Sequence, residues 1–290
     1  AGEIRRRTRA LYEAFSWNKG FKEYFAVKAT PNPTILELLK KEGCGTDCSS
    51  YTELLMAERC GFSGEEIMFS SNDTPAEDFR LARKLSALIN FDDLSHLPFY
   101  LETCADHFPE LISFRYNPGG VYEVANGIMD NPGEAKYGMT DRQIREACRL
   151  ARKHGARRIG IHAFLVSNAI GNDYYPQLAR TLFTLARALH EETGMPIDFV
   201  NLSGGIGIPY RPKEEAVDIA AVGQGVKEAF EEILEPAGLG DVRIFTELGR
   251  YLLAPSGALI TRCLHHKKTY KNFLGTDACA ANLMRPSIYD

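Results

Sequence analysis

Short apolar runs alternate with amphipathic stretches along most of the chain. The first run, Tyr24-Phe25-Ala26-Val27, leads through Lys28-Ala29-Thr30 into Pro31-Asn32-Pro33, so it reads as a buried strand closed by a proline turn, with Lys28 at its C-terminal tip. Residues 5–15 before it are expected to be helical. After it, Pro33 suits the first turn of a helix whose Ile35, Leu38 and Leu39 fall on one face and which Gly43 ends. The pattern repeats with Gly45-Thr46-Asp47-Cys48 as a short strand, a helix over 51–60 stopped by Gly61, the strand Ile67-Met68-Phe69-Ser70 and a helix over 75–84. Further strands are expected at 87–91, 111–116, 158–164, 198–202 and 242–246, which makes eight.

The stretch before Arg158 carries firm local signals. Thr140 and Gln143 form a capping box, Ile144, Ala147, Cys148 and Ala151 recur at helical spacing, and Gly155 supplies the stop. Eight strands alternating with helices predict a closed parallel (β/α)8 barrel over residues 1–250. An open doubly wound sheet is the alternative. It would more often carry a glycine-rich turn after its first strand, where this chain has prolines.

Composition narrows the partners. With 290 residues, 44% hydrophobic and 25% charged, the chain is an ordinary globular protein with room for one barrel or two domains. A net charge of -4 argues against a nucleic-acid partner, and Arg5-Arg6-Arg7 reads as a solvated helix face. No apolar stretch has the length of a membrane span, and the N-terminus lacks the apolar region of a signal peptide, so no membrane partner and a cytoplasmic location are expected. The seven cysteines include no pair spaced as a zinc or redox motif, Cys44 and Cys48 being the closest, and no ligand cluster with metal spacing appears.

In a barrel, chemistry gathers just beyond the C-terminal ends of the strands. Lys28 lies there after the first strand; a lysine whose ammonium is desolvated can shift its pKa and form Schiff bases, whereas one that snorkels to solvent does neither. After the seventh strand comes Ser203-Gly204-Gly205-Ile206-Gly207-Ile208-Pro209-Tyr210, whose glycines let backbone amides approach an anion such as phosphate, or merely serve a tight turn. After the eighth comes Glu247-Leu248-Gly249-Arg250, a carboxylate and a guanidinium that could equally be a surface ion pair.

Taken as a set and in order, Ala26-Val27-Lys28-Ala29, Arg115-Tyr116-Asn117-Pro118-Gly119, Lys136-Tyr137-Gly138-Met139, the Ser203 loop, Glu247-Leu248-Gly249-Arg250, and Asp277-Ala278 with Leu283-Met284-Arg285-Pro286 resemble the diaminopimelate decarboxylase family, pyridoxal-phosphate enzymes of the alanine-racemase-like fold. The resemblance implies a carbon-carbon lyase, pyridoxal 5'-phosphate as cofactor, a diamino acid as substrate and a homodimer. It implies that Lys28 carries the cofactor in imine linkage, that Asp47 lies near this lysine, and that Glu247 pairs with the pyridine nitrogen. Ser203, Gly204, Gly205 and the backbone around Gly249 would hold the phosphate, and Arg250, Arg285 and Tyr289 would bind the substrate's polar ends. A carboxylate facing the ring nitrogen keeps it protonated, as delocalising the carbanion left by decarboxylation requires, and a bidentate guanidinium suits a dicarboxylate.

Three departures qualify the resemblance. Where the family has His-x-His-x-Gly-Ser, this chain reads His162-Ala163-Phe164-Leu165-Val166-Ser167, so that among the cofactor contacts His162, Phe164 and Ser167 the ring-stacking histidine is replaced by Phe164. Phenylalanine stacks on a pyridine ring but cannot exchange protons, so a D-lysine or D-ornithine substrate competes with meso-diaminopimelate. Ser203 replaces the first of three family glycines and Leu248 the usual proline. The family continues into a β-domain carrying a catalytic cysteine and a cofactor-contacting tyrosine; Cys263 and Cys279 do not match that motif, and residues 251–290 are expected to be the unpaired opening strands of such a domain in a fragment or truncated homologue. A non-catalytic cofactor-binding homologue and a racemase are the remaining alternatives.

Overall fold

The computed structural model describes residues 1–104, 108–120, 130–284 and 287. Eight parallel strands form a closed barrel in chain order, with the last pairing back to the first. They are β1 (Lys22–Ala26), β2 (Gly45–Cys48), β3 (Ile67–Ser71), β4 (Leu88–Phe91), β5 (Leu111–Arg115), β6 (Arg158–His162), β7 (Ile197–Asn201) and β8 (Arg243–Thr246). Helices α1 (Gly2–Ala14), α2 (Pro33–Lys41), α3 (Tyr51–Arg59), α4 (Ala76–Lys84), α5 (His96–Thr103), α6 (Asp141–Lys153), α7 (Tyr174–Thr193) and α8 (Ile219–Ile233) are interleaved with them. The expected barrel is therefore the observed one, and α5, α7 and α8 complete it without a sequence expectation of their own.

Local sequence explains the elements. The Thr140 hydroxyl accepts from the Gln143 amide (3.4 Å) while the Gln143 side chain accepts from the Thr140 amide (3.0 Å), and the α6 stripe Ile144, Ala147, Cys148 and Ala151 is wholly buried. Asn32 caps α2 by accepting from the Thr34 and Ile35 amides, with Pro33 in the first turn. The buried face of α2 is centred on Leu36 and Leu39, Ile35 and Leu38 lying at its margins.

The strands bury both faces. One face packs under the helices; the other fills the barrel lumen, where Tyr24, Met68, Leu88, Leu111, Phe199 and Phe245 make a separate apolar cluster. Phe199 stacks on Phe245 at 4.5 Å between ring centroids, and Tyr24 lies 5.0 Å from Phe245. Gly160 on β6 leaves the space that the Phe199 ring occupies, since a Cβ there would collide with it.

Two expectations change. The first strand ends at Ala26, and Lys28 sits in a single 3-10 turn, Val27–Ala29, instead of at a strand tip; it is exposed at the barrel mouth, as the snorkelling alternative has it. The chain forms two compact units, Ala1–Pro255 and Ser256–Asp290. Residues expected as unpaired strands from 251 onward instead begin with helix α9 (Arg250–Leu253), whose Tyr251, Leu252 and Leu253 are buried and whose Tyr251 carbonyl accepts from Arg7 at 3.2 Å. In the second unit β9 (Cys263–Lys268) pairs antiparallel with β10 (Asn272–Thr276), and the Asp277 carboxylate accepts from the Thr261 hydroxyl (2.7 Å) and the Arg262 amide (2.9 Å) beside them. Among the described residues no helix is long and apolar enough to cross a membrane.

Candidate functional site

Side chains on a strand alternate between its two faces, so the positions two residues beyond the apolar plug point into the lumen nearer the C-terminal mouth. On seven of the eight strands, β1 with Ala26 being the exception, these positions are polar, counted on β2 and β6 from the level glycines Gly45 and Gly160: Asp47, Ser70, Asn90, Ser113, His162, Asn201 and Glu247. Six of them are no more than 5% exposed, Ser70 being half-buried. A barrel sealed by aromatics at one end and lined by polar groups at the other has its chemistry at the polar end.

Glu247, just past β8, is the most heavily bonded of them. Its Oε1 accepts from Asn201 Nδ2 (2.7 Å); its Oε2 accepts from Ser203 Oγ (2.7 Å) and lies 3.1 Å from His162 Nε2. An ionised carboxylate only accepts, so that histidine nitrogen carries the hydrogen. Burial pushes the Glu247 carboxyl up, but the His162 ring and the Ser203 and Asn201 hydrogen bonds outweigh it and hold the group well below the usual carboxylate range. Asp47 goes the other way: burial, and then the nearby Glu247 charge, push it up against the pull of Lys28. Two carboxyls in one lumen thus divide, one kept ionised and one favouring its proton.

Lys28 faces an aromatic and cationic wall. Its Nζ stands 5.7 Å from the centroid of the half-buried Phe164 ring, whose other neighbour is Arg115, with its guanidinium carbon 6.0 Å from Phe164 and 4.6 Å from Tyr137. Arg115 is fixed by a buried ion pair to Asp92 at 3.0 Å, and Asp92 also accepts from the Gly138 amide at 3.3 Å.

The loops after β6, β7 and β8 meet beside this group. The Ala169 amide donates to the Gly205 carbonyl and the Gly207 amide to the Ala169 carbonyl, tying the first two loops together. Gly205 needs its φ of +108° and its missing side chain, because a Cβ would come within 2.6 Å of the Val166 carbonyl. Gly204 and Gly249 run equally close to the Glu247 carbonyl and to Ala29, next to Lys28. Arg250 donates to the Tyr210 hydroxyl at 2.9 Å and to Ser167 Oγ at 3.5 Å. A guanidinium, a serine hydroxyl and a glycine turn at this end of a barrel are the parts of an anion site.

Lys28, Asp47, His162, Phe164, Ser167, Ser203, Gly204, Gly205, Glu247, Gly249 and Arg250 therefore all lie at one mouth. Arg285 and Tyr289 lie outside the described residues. Sequence reasoning missed Asn201, Asp92 and the role of Arg115. Asn201 was within reach, since it is the last residue of β7 and precedes Ser203 by two; the Asp92–Arg115 pair joins the ends of β4 and β5 and has no local signal.

Pyridoxal phosphate calls for an amine to take its aldehyde, a carboxylate for its ring nitrogen, a flat apolar surface for its ring and an anion site for its phosphate. Lys28, Glu247, Phe164 and the Ser167–Arg250 corner fit those demands. Buried Asp47 Oδ1 and His162 Nδ1 have no hydrogen-bond partner among the described residues, an unfilled polar capacity that a bound polar group can take up.

Known proteins agree. Protein TabA of Pseudomonas amygdali pv. tabaci is 34% identical over 281 residues, 97% of this chain and 64% of that protein. Diaminopimelate decarboxylase of Methanothermobacter thermautotrophicus is 32% identical over 292 residues, 99% of this chain and 67% of that protein. A crystal structure of a diaminopimelate decarboxylase mutant from Helicobacter pylori, complexed with L-lysine, superposes with a TM-score of 0.90 at 26% identity, covering 99% of this chain and 71% of that one. The chain thus spans about two thirds of the length of these relatives. The family model for pyridoxal-dependent decarboxylases, pyridoxal binding domain, matches residues 1–254. By that match, and by the barrel that carries it, the chain belongs to the pyridoxal-dependent decarboxylase family.

Proposed function

We propose that this chain supplies the cofactor-binding barrel of a pyridoxal-phosphate-dependent decarboxylase acting on a diamino acid, with meso-diaminopimelate, giving L-lysine, as the first substrate reading. The observation that carries it is the buried Glu247 carboxylate, kept ionised by donors from three side chains, at the same mouth as Lys28. When bound, pyridoxal phosphate is the electron sink for the pair left behind by carbon dioxide. Lys28 is the amine that joins the cofactor's aldehyde, and Glu247 keeps a proton on the ring nitrogen. Phe164 supports one face of the ring, while Ser167, the Gly204-Gly205 turn, Gly249 and Arg250 hold the phosphate; Ser203, whose hydroxyl and amide donate to Glu247 and Asn201, has no donor left for it. Asp47 and His162 line the floor between them. Arg250, together with Arg285 and Tyr289, meets the polar ends of the substrate, and the enzyme works as a cytoplasmic homodimer.

Phe164 favours a second substrate reading. An arene in contact with two cations cannot deliver or remove a proton, so the D-lysine or D-ornithine reading stays beside the first. Incubating the full-length protein with pyridoxal phosphate and D-, L- and meso-diamino acids, and measuring carbon dioxide and the amine formed, tests both. L-lysine from meso-diaminopimelate bears out the first reading, and a diamine from D-lysine or D-ornithine the second. An enantiomer, or no product from any of them, defeats the decarboxylase reading.

A further inference from the structure

Ser203 holds a backbone conformation that a serine adopts only at a cost. Its φ is +55°, in the left-handed region, where L side chains crowd the following carbonyl. A glycine would take this conformation without strain. What serine adds is one hydroxyl, and that hydroxyl is buried and donates to Glu247 Oε2 at 2.7 Å. The main chain of Ser203 is clamped around the same carboxylate: its amide donates to Asn201 Oδ1 (2.7 Å), and its carbonyl accepts from the Glu247 amide (2.7 Å) and the Tyr175 hydroxyl (2.5 Å). The side chain is thus committed to Glu247 and not to an anion in the loop.

We propose that Ser203 is a positioning residue whose hydroxyl sets how strongly Glu247 competes for the proton on the cofactor's ring nitrogen. The inference rests on the cofactor reading above and deepens it. Among the contacts described, Oε2 serves two donors, Ser203 and His162, and Oε1 serves Asn201 alone, so Oε1 is the oxygen with room for a further donor. Each donor withdraws charge from the carboxylate and weakens it as a base. Without the Ser203 hydroxyl, Glu247 draws the ring proton further toward itself and the ring becomes a poorer electron sink. The other groups acting on this carboxylate, His162 from β6, Asn201 from β7, Asp47 from β2 and Glu23 from β1, stay in place when Ser203 is changed.

Two substitutions in the full-length protein separate the hydroxyl from the backbone. Ser203→Ala removes the hydroxyl and keeps the strain; Ser203→Gly removes both. With pyridoxal phosphate labelled with nitrogen-15 in the ring, both variants are expected to move the ring signal toward the unprotonated position, with kcat about tenfold lower and KM little changed. In the apoprotein, a double-mutant cycle of Ser203→Ala with Glu247→Gln, read by urea unfolding, is expected to show a coupling of about tenfold in the unfolding constant. A Ser203→Gly protein with the wild-type ring signal and kcat, or a cycle with no coupling, overturns the proposal. Absence of any bound ring signal in the wild-type protein overturns the cofactor reading and this one with it; a normal wild-type signal that neither variant moves overturns this one alone.

Discussion

His162 Nε2 lies 3.1 Å from Glu247 Oε2, and neither side chain is more than 5% exposed. Removing one partner of a buried pair leaves the other uncompensated, so its two sides answer differently to substitution. Glu247→Gln nearly keeps the shape, retains an oxygen for Asn201 or Ser203, and abolishes the charge. Cofactor uptake is expected to survive while kcat falls by about 100-fold or more, the magnitude of a lost electrostatic partner in a water-excluded site. Absorbance of bound cofactor alongside steady-state decarboxylation checks it. Undiminished turnover would mean that this carboxylate has another task.

Lys28 is exposed at the mouth with its Nζ over Phe164, placed to meet a ligand arriving from solvent. Borohydride treatment of the protein with pyridoxal phosphate is expected to leave a stable pyridoxyl group on Lys28, found by peptide mass mapping, and Lys28→Ala is expected to abolish both label and turnover. A label on Lys136, the lysine in the third motif of the resemblance, would end this assignment.

The barrel was legible because its signals are local. The Tyr24 and Ile67 runs, the Thr140–Gln143 capping box and the stripe from Ile144 to Ala151 each read correctly in isolation. Helix α7 carried the same kind of signal, with Leu178, Leu182, Phe183, Leu185, Ala186 and Leu189 all buried, and was there to be found. The site residues became visible through motifs after strand ends; what they touch did not. Asn201 bonds across 46 positions to Glu247, and Arg115 across 23 to Asp92, and nothing in either segment announces its partner. The exposure of Lys28 depends on where β1 stops. That is set by its ladder with β2, which ends at Ala26 against Asp47.

Gly160 and Phe199 test the lumen plug. A methyl group at Gly160 would come within 2.1 Å of the Phe199 ring, which is buried and stacked on Phe245. Gly160→Ala is expected to destabilise the protein by about 1–3 kcal/mol, the usual cost of overpacking a filled core. Adding Phe199→Leu should recover part of the loss by vacating the ring's volume. Urea unfolding of the single and double variants decides it; a midpoint unchanged in Gly160→Ala would mean that the plug is looser than its packing implies.

Glu23 is the buried acid for which the reaction has no use. It lies on β1 with no solvent exposure, accepting hydrogen bonds from the Leu248 amide (2.8 Å) and the Thr246 hydroxyl. Burial pushes its pKa up from 4.5 to about 8; those two donors pull against the shift and the nearby Glu247 charge adds to it. The folded chain therefore binds this proton more tightly than the unfolded chain does. Between about 4.5 and about 8 the folded state holds the proton and the unfolded state has lost it, so stability falls as pH rises through this window. The contribution is complete below about 4.5 and gone above about 8. Glu23→Gln cannot ionise and still presents an oxygen to the Leu248 amide. It is expected to flatten the decline of melting temperature across this window and to leave the variant more stable than wild type at its upper end. Parallel melting curves of the two proteins through the window check this; curves that stay parallel would show that Glu23 carries no proton-linked cost.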